Sequence, residues 1–259
     1  MSIEQKKHTK ELTKATEERE IQQTRNELLK IKSESLKIKE FLDNFCTNEE
    51  IKKDLAEEIK KYPLFYRILS QDLSKDKKEE LLKEALQKQK EATECMDKNK
   101  LDKIAKTMEE EVLKIAKDNK KIKDFLMQKN SDITTPKEKE EIFQTIINKF
   151  SEAFGIKPPR FYTNWVSISW LGISSLIKID WNKWNIGQLM HEYTHYLQNQ
   201  WKTSDQKYMK QSMDYYVLPI KGELKNLTDN IYNNSLIEQE AEYTRKVAQQ
   251  KIFQEIRKN

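Results

Sequence analysis

Apolar residues in the first half of the chain recur at helical spacing on a background of Lys and Glu. Between Ile21 and Phe45 the apolar or small positions alternate at intervals of three and four residues. This spacing is typical of a helix that packs along another helix. The apolar stripes of three more predicted helices lie at residues 51–62, 81–86 and 101–126. Ser74 or Asp76 is expected to begin the middle one of these three.

The charged flanks of these stripes favour helices that pack on each other. Narrow apolar faces bordered by Lys and Glu are typical of an antiparallel bundle or hairpin, which is a purely structural role. We therefore interpret residues 1–130 as a helical, coiled-coil-like bundle region. The functional alternative is an arm that binds a helical partner through residues 20–130.

The hydrophobic pattern changes after residue 130. Pro136 fits the first turn of a helix whose apolar stripe runs to Phe150, and Gly155 is placed to end it. Strands with period-two alternation and many Ile, Val and aromatic residues are predicted at 160–163, 166–170 and 174–180. Two later helices are predicted at about 186–201 and from about 234. The chain is thus predicted to be α+β and mainly helical, with residues 131–259 forming a small domain that contains a short mixed sheet.

Composition narrows the class of protein. No run approaches the roughly 20 apolar residues that a membrane-spanning helix needs, so we predict no membrane span. The N-terminal segment lacks the apolar core of a secretory signal, and we expect a cytoplasmic protein, with non-classical secretion left open. Cys46 and Cys95 lie far apart and form no CxxC motif, which argues against a disulfide framework and against a cysteine metal site.

Charge is spread evenly along the chain. Residues 1–130 hold 31 Lys and Arg against 28 Asp and Glu, and residues 131–259 hold 17 against 15. The two parts therefore carry +3 and +2 of the total net charge of +5. Because a nucleic-acid-binding surface needs clustered basic residues, no specific nucleic-acid partner is predicted.

The predicted helix at 186–201 carries two histidines four residues apart. Residues 191–195 read HEYTH, so His191 and His195 stand one turn apart on the same face and are spaced to bind one tetrahedral cation. The apolar residues of this helix gather within a sector of about 140° on the opposite side. If this helix packs against the protein through its apolar side, both histidines face a cleft on the other side. The alternative is that the spacing arises by chance.

This motif and its surroundings resemble the zincin metallopeptidases, in the branch where HExxH and a downstream Glu hold one zinc ion. The resemblance covers about residues 137–257, and residues 236–242, which read LIEQEAE, look like the family's third-ligand helix. It implies a zincin-like metallopeptidase domain that binds one Zn²⁺ per chain and acts on a protein or peptide substrate. It also implies that residues 174–180 form a cleft wall that pairs with an extended peptide. No third histidine follows His195 at the spacing of HExxHxxGxxH.

Three glutamates compete for the third ligand position. On a helix that begins near residue 234, Glu238 borders the apolar stripe and Glu240 points away from it. A carboxylate that faces the interior needs a partner, and a cation supplies one, so Glu238 is the predicted ligand. Glu242, one turn on, is predicted to accept a hydrogen bond from a ligand histidine. Glu240 is the alternative ligand if the helix bends, and a solvated acidic first turn is the alternative to any metal site.

Three protein ligands leave a fourth metal position for water. Glu192, next to the first ligand, is the predicted general base that takes the proton of this water and passes it to the leaving amine. A hydrogen-bond donor to the developing oxyanion is also expected. The unranked candidates for this donor are Tyr162, Tyr215, Tyr216 and Tyr232.

Three classes of function remain open from the sequence. The first is a zinc-dependent metallopeptidase whose N-terminal helices position a substrate or partner. The second is a catalytically inactive zincin-fold protein that binds or scaffolds, and the retained Glu192 disfavours it. The third is a metal-dependent hydrolase of a non-peptide bond, which nothing in the residues separates from the first.

Overall fold

The structure of the chain is a computed structural model that describes most, but not all, of the residues. The described ranges are 36–43, 52, 56–57, 59–126, 136–162, 176–178, 185–200, 202–220 and 222–258. For Pro136, residues 160–162 and residues 176–178 the description covers the backbone only. The predicted strand at 166–170 and most of the predicted helical seam between Ile21 and Phe45 lie outside the described residues.

Helices account for most of the described residues. In chain order they are α1 (Pro63–Ser70), α2 (Lys75–Glu94), α3 (Lys98–Asp118), α4 (Lys120–Leu126), α5 (Pro136–Phe154), α6 (Ile186–Asn199), α7 (Gln206–Asp214), α8 (Lys225–Asn233) and α9 (Leu236–Lys258). Residues 36–43 are helical as well. None of the described helices is both long enough and apolar enough to cross a bilayer, in agreement with the prediction of no membrane span.

The predicted α+β fold with a short mixed sheet is wrong. The β-strands in the described residues amount to two segments, β1 (Arg160–Tyr162) and β2 (Leu176–Lys178), which lie parallel with Phe161 opposite Ile177. Three-residue segments are too short to form a layer that covers a core. The physical reason for the error is that α6 packs along α9 and its Tyr193 ring contacts Phe150 of α5, so helices fill the place that a sheet was expected to take.

Local capping explains where several helices begin and end. The hydroxyl of Ser74 accepts a hydrogen bond from the Lys77 amide at 3.3 Å, which confirms Ser74 as the start of α2. Gly155 follows α5 with φ of 61°, as predicted for a residue that ends a helix. The single helix predicted over 101–126 is wrong, because Asn119 is extended and its side chain caps α4 through the Ile122 amide.

Two apolar cores hold the helices together, and each contains residues from both sides of residue 130. In the first core Phe65 and Leu82 are clustered with Tyr216. In the second, Met108 is clustered with Phe143, and this core also contains apolar residues of α6 and α9. Helices of the two predicted regions therefore stabilise each other. The domain boundary near residue 130 stays a prediction, since only a separated fragment would test it.

Helices α6 and α9 make the most extensive helix–helix contact of the described part of the chain. A Cβ atom at Gly187 of α6 would overlap the side-chain amide of Gln249 of α9. Because glycine has no side chain, Gln249 can lie directly against α6. This contact sets α9 beside the helix that carries the two histidines.

Candidate metal centre

Three predicted ligands meet where α6 packs against the first turn of α9. The Nε2 atoms of His191 and His195 lie 3.1 Å apart. The carboxylate of Glu238 reaches both rings, with Oε2 at 3.3 Å from His191 Nε2 and Oε1 at 3.5 Å from His195 Nε2. One ligand atom from each residue lies within 4.8 Å of the others. Two imidazole nitrogens and one carboxylate oxygen are a donor set that suits zinc.

The N-terminal caps of α6 and α9 help to position the two histidines and Glu238. Asn185 caps α6 by accepting a hydrogen bond from the Gln188 amide at 3.0 Å, and the four-residue spacing then sets both histidines on one face. On α9, the hydroxyl of Ser235 accepts from the Glu238 amide at 3.3 Å. Ser235 and Glu238 have the spacing of a capping box, but the carboxylate points to the histidines.

The charges of the cluster depend on one another. Burial favours the neutral form of Glu238, but the imidazoles of His195 and His191 outweigh this effect and hold its pKa well below the usual range. Burial also disfavours the charged form of His195, yet Glu238 and Glu192 raise its pKa to about 9. The pKa of His191 is lowered, since burial dominates there. Without a metal, a proton on His195 thus supplies the positive charge that the buried carboxylate requires.

Two of the predicted oxyanion donors lie at this cluster. The hydroxyl of Tyr216 donates to Glu238 Oε1 at 2.9 Å, and burial beside this carboxylate raises the pKa of Tyr216 well above its usual value. Tyr232 is partly buried at the same core, and the charges of Glu238 and Glu192 add to the effect of burial in raising its pKa. Tyr215 instead donates to Glu84 at the surface, at 3.1 Å. The side chain of Tyr162 lies outside the described part.

Replacing Tyr216 with phenylalanine should lower the free energy of unfolding of the zinc-free chain by about 1.5–3 kcal/mol, because a buried carboxylate loses a hydrogen bond. The neighbouring variant Tyr215→Phe is the matched control, and its exposed hydrogen bond should contribute less than about 1 kcal/mol. Urea denaturation followed by circular dichroism measures both. Equal losses for the two variants would show that the bond between Tyr216 and Glu238 is not important for stability.

Glu192, the predicted general base, is buried on α6 beside the cluster. Its charge contributes to the raised pKa of His195 and to that of Tyr232, so the carboxylate lies near both side chains. Glu192 lies three residues before His195 on the same helix. The structure therefore brings Glu192 to the candidate centre without making it one of the three converging donors.

Glu242, the predicted hydrogen-bond acceptor behind a ligand histidine, lies near His191 but is held by another residue. Its Oε2 is 3.9 Å from His191 Nδ1, which is beyond hydrogen-bond length. The guanidinium of Arg245 donates to both of its oxygens, at 2.7 and 2.6 Å, and the hydrogen bond from Arg245 is the main cause of its lowered pKa. Glu242 is therefore paired mainly with Arg245.

Glu240, the alternative ligand, does not point to solvent as the helical angle suggested. It is fully buried, and burial raises its pKa although hydrogen bonds with Ser204 and Gln198 oppose the rise. Gln198 was missed by sequence reasoning, yet its side chain contacts both Glu240 and His195. The available signal was its position three residues after His195, on the same side of α6.

No protein-family profile, no curated protein and no solved structure matches this chain. The resemblance to zincins accordingly stays a hypothesis based on residues 191–195 and 236–242.

Proposed function

We propose that this protein is a zinc-dependent peptidase that holds one Zn²⁺ through His191, His195 and Glu238. The observation that carries the proposal is the convergence of one donor atom from each of these residues within 4.8 Å. Two imidazoles favour zinc over magnesium or calcium, which prefer oxygen ligands. The carboxylate offsets part of the charge of the cation in a buried setting.

The donor set also favours a catalytic over a structural metal. Structural zinc sites are closed by four protein ligands, whereas the converging group in the described residues has three members. The side chain of His191 is 19% exposed against 2% for His195, so the group opens to solvent on the side of His191. When bound, zinc would lower the pKa of a water to about 7 and polarise a substrate carbonyl.

Residues beside the ligands supply the remaining groups for hydrolysis. Glu192 is proposed as the general base, which accepts a proton from the attacking water and delivers it to the leaving amine. Tyr216 donates to Glu238 and so orients the ligand carboxylate. Tyr232, whose pKa is raised by burial and by the charges of Glu238 and Glu192, is our candidate for the donor to the substrate oxygen. The peptide bond as substrate rests on the zincin resemblance.

The purified chain should bind one equivalent of zinc and prefer it to magnesium and calcium. The reason is that two imidazole nitrogens are poor ligands for the two harder cations. Elemental analysis of protein purified without chelator gives the stoichiometry. Calorimetric titration of chelator-treated protein with each chloride salt, at one pH, gives the preference. Zinc content well below one per chain together with no calorimetric binding would remove the metal site and, with it, the proposed function.

A further inference from the structure

A buried amide lies directly behind one of the proposed ligands. The Nδ1 atom of His195 is 2.8 Å from Oε1 of Gln198, and both side chains are almost completely buried. An amide oxygen only accepts hydrogen bonds, so Nδ1 of His195 carries the proton and donates it. This arrangement leaves Nε2 as the ring nitrogen that faces His191 and Glu238.

The other end of the same amide fixes its orientation. Nε2 of Gln198 donates to the backbone carbonyl of Ile237 at 2.7 Å and to Oε2 of Glu240 at 3.1 Å. Both partners are acceptors, so exchanging the nitrogen and oxygen of the amide would lose both of these bonds. Glu240 is completely buried at this position. The tautomer of His195 is thus determined by contacts that come from α9.

We propose that Gln198 is a positioning residue that orients His195 for the metal, and that Glu240 anchors Gln198 instead of binding the metal. The proposal rests on the proposed metal-dependent function. Ile237 directly precedes Glu238, so one amide side chain joins the imidazole of His195 to the turn that carries the third ligand. Gln198 therefore sets the relative position of two ligands that belong to different helices.

The two histidines differ in how firmly they are held. His195 has a short hydrogen bond to a buried and fully paired amide. The Nδ1 atom of His191 lies 3.9 Å from Glu242, and its side chain is more exposed. A ligand held in its binding orientation loses less conformational entropy when the metal binds. We therefore assign to Gln198, and not to Glu242, the larger indirect contribution to zinc affinity.

The test compares the zinc affinity of variants of the whole 259-residue chain by competition with a chromophoric chelator. Gln198→Leu should weaken zinc binding about 10–100-fold, the usual effect of losing a hydrogen-bond partner behind a metal ligand. Gln200→Leu, at the C-terminal cap of the same helix, is the matched control and should bind zinc within about threefold of the unsubstituted chain. The double variant Gln198→Glu with Glu240→Gln returns an acceptor to His195 and should recover part of the lost affinity, to within about tenfold.

Recovery in the double variant separates positioning from a general loss of packing, since a merely structural defect would persist or worsen. If the unsubstituted chain binds zinc and Gln198→Leu binds it equally well, the positioning role is wrong and the proposed function survives. If the unsubstituted chain binds no zinc, the proposed function itself fails.

A second measurement needs no substitution at position 198. In the zinc-loaded chain, long-range proton–nitrogen NMR spectra should show His195 protonated at Nδ1, with slow exchange of that proton with water. The resonances are assigned by their absence in His195→Ala. Zinc bound at Nδ1, or a proton that exchanges as fast as that of His191, would overturn the inference even if Gln198→Leu fails to fold.

Discussion

Replacing Glu192 with glutamine should leave zinc bound and reduce peptide hydrolysis by about 10²–10⁴-fold, the contribution expected from a general base. Glutamine has nearly the same shape as glutamate but has no basic oxygen to accept the proton of the attacking water. Glu192 is not among the three converging donors, so its replacement should not remove a ligand. The substitution therefore separates chemistry from metal binding.

The comparison uses a library of peptides from a proteolytic digest, with new termini identified by mass spectrometry, and zinc content determined on the same samples. Glu242→Gln is the matched control, because Glu242 lies on the other helix of the centre and is paired with Arg245. It should retain activity within about tenfold. A fully active Glu192→Gln variant would require another base. If zinc is bound in both variants and in the unsubstituted chain but none of the three hydrolyses peptides, the result would favour a binding protein over an enzyme.

The histidine pair on α6 was predictable because its geometry is local. Two histidines four residues apart share a face on any regular helix, so His191 and His195 needed no knowledge of the fold. Glu238 followed from the apolar stripe of α9, which is also a property of one helix. These three side chains do converge in the structure. Their role as zinc ligands stays a prediction.

The surroundings of Glu240 depended on tertiary contacts. Its helical angle placed it opposite the apolar stripe, and that angle assumed that α9 buries only one face. In the structure α9 is covered on several sides, and Glu240 meets Gln198 of α6 and Ser204 of the segment before α7. The contact between Gln198 and Glu240 could not be predicted for the same reason. A side chain on one helix does not indicate which neighbour will approach it.

The fold was harder to predict than the candidate centre. Period-two alternation between residues 160 and 180 was interpreted as a sheet, but three-residue strands pair in the described part and helices cover α6. The break at Asn119 was missed because the apolar stripe continues through it, whereas the cap is formed by one side chain. The core that α1, α2 and α7 share depends on residues far apart in sequence, which periodicity does not connect.

Replacing Glu238 with glutamine should weaken zinc binding by about 100-fold or more. Zinc sites in small peptides bind with at least about 10 kcal/mol, and one ligand of three contributes roughly 3 kcal/mol of this. The amide oxygen is a weaker ligand than a carboxylate and brings no charge to balance the cation. Tyr216 can still donate to the amide oxygen, so the substitution should disturb the fold little.

The same measurement on Glu240→Gln decides between the two ligand assignments. An amide at position 240 keeps an oxygen that accepts from Gln198, and zinc affinity should fall less than about tenfold. The two glutamates are both buried and lie two residues apart on one helix, so general effects of replacing a buried carboxyl group are matched. A larger loss of affinity at position 240 than at 238 would mean that α9 turns its other face to the metal. The hydrogen bond from Gln198 to Glu240 would then have to break when zinc binds.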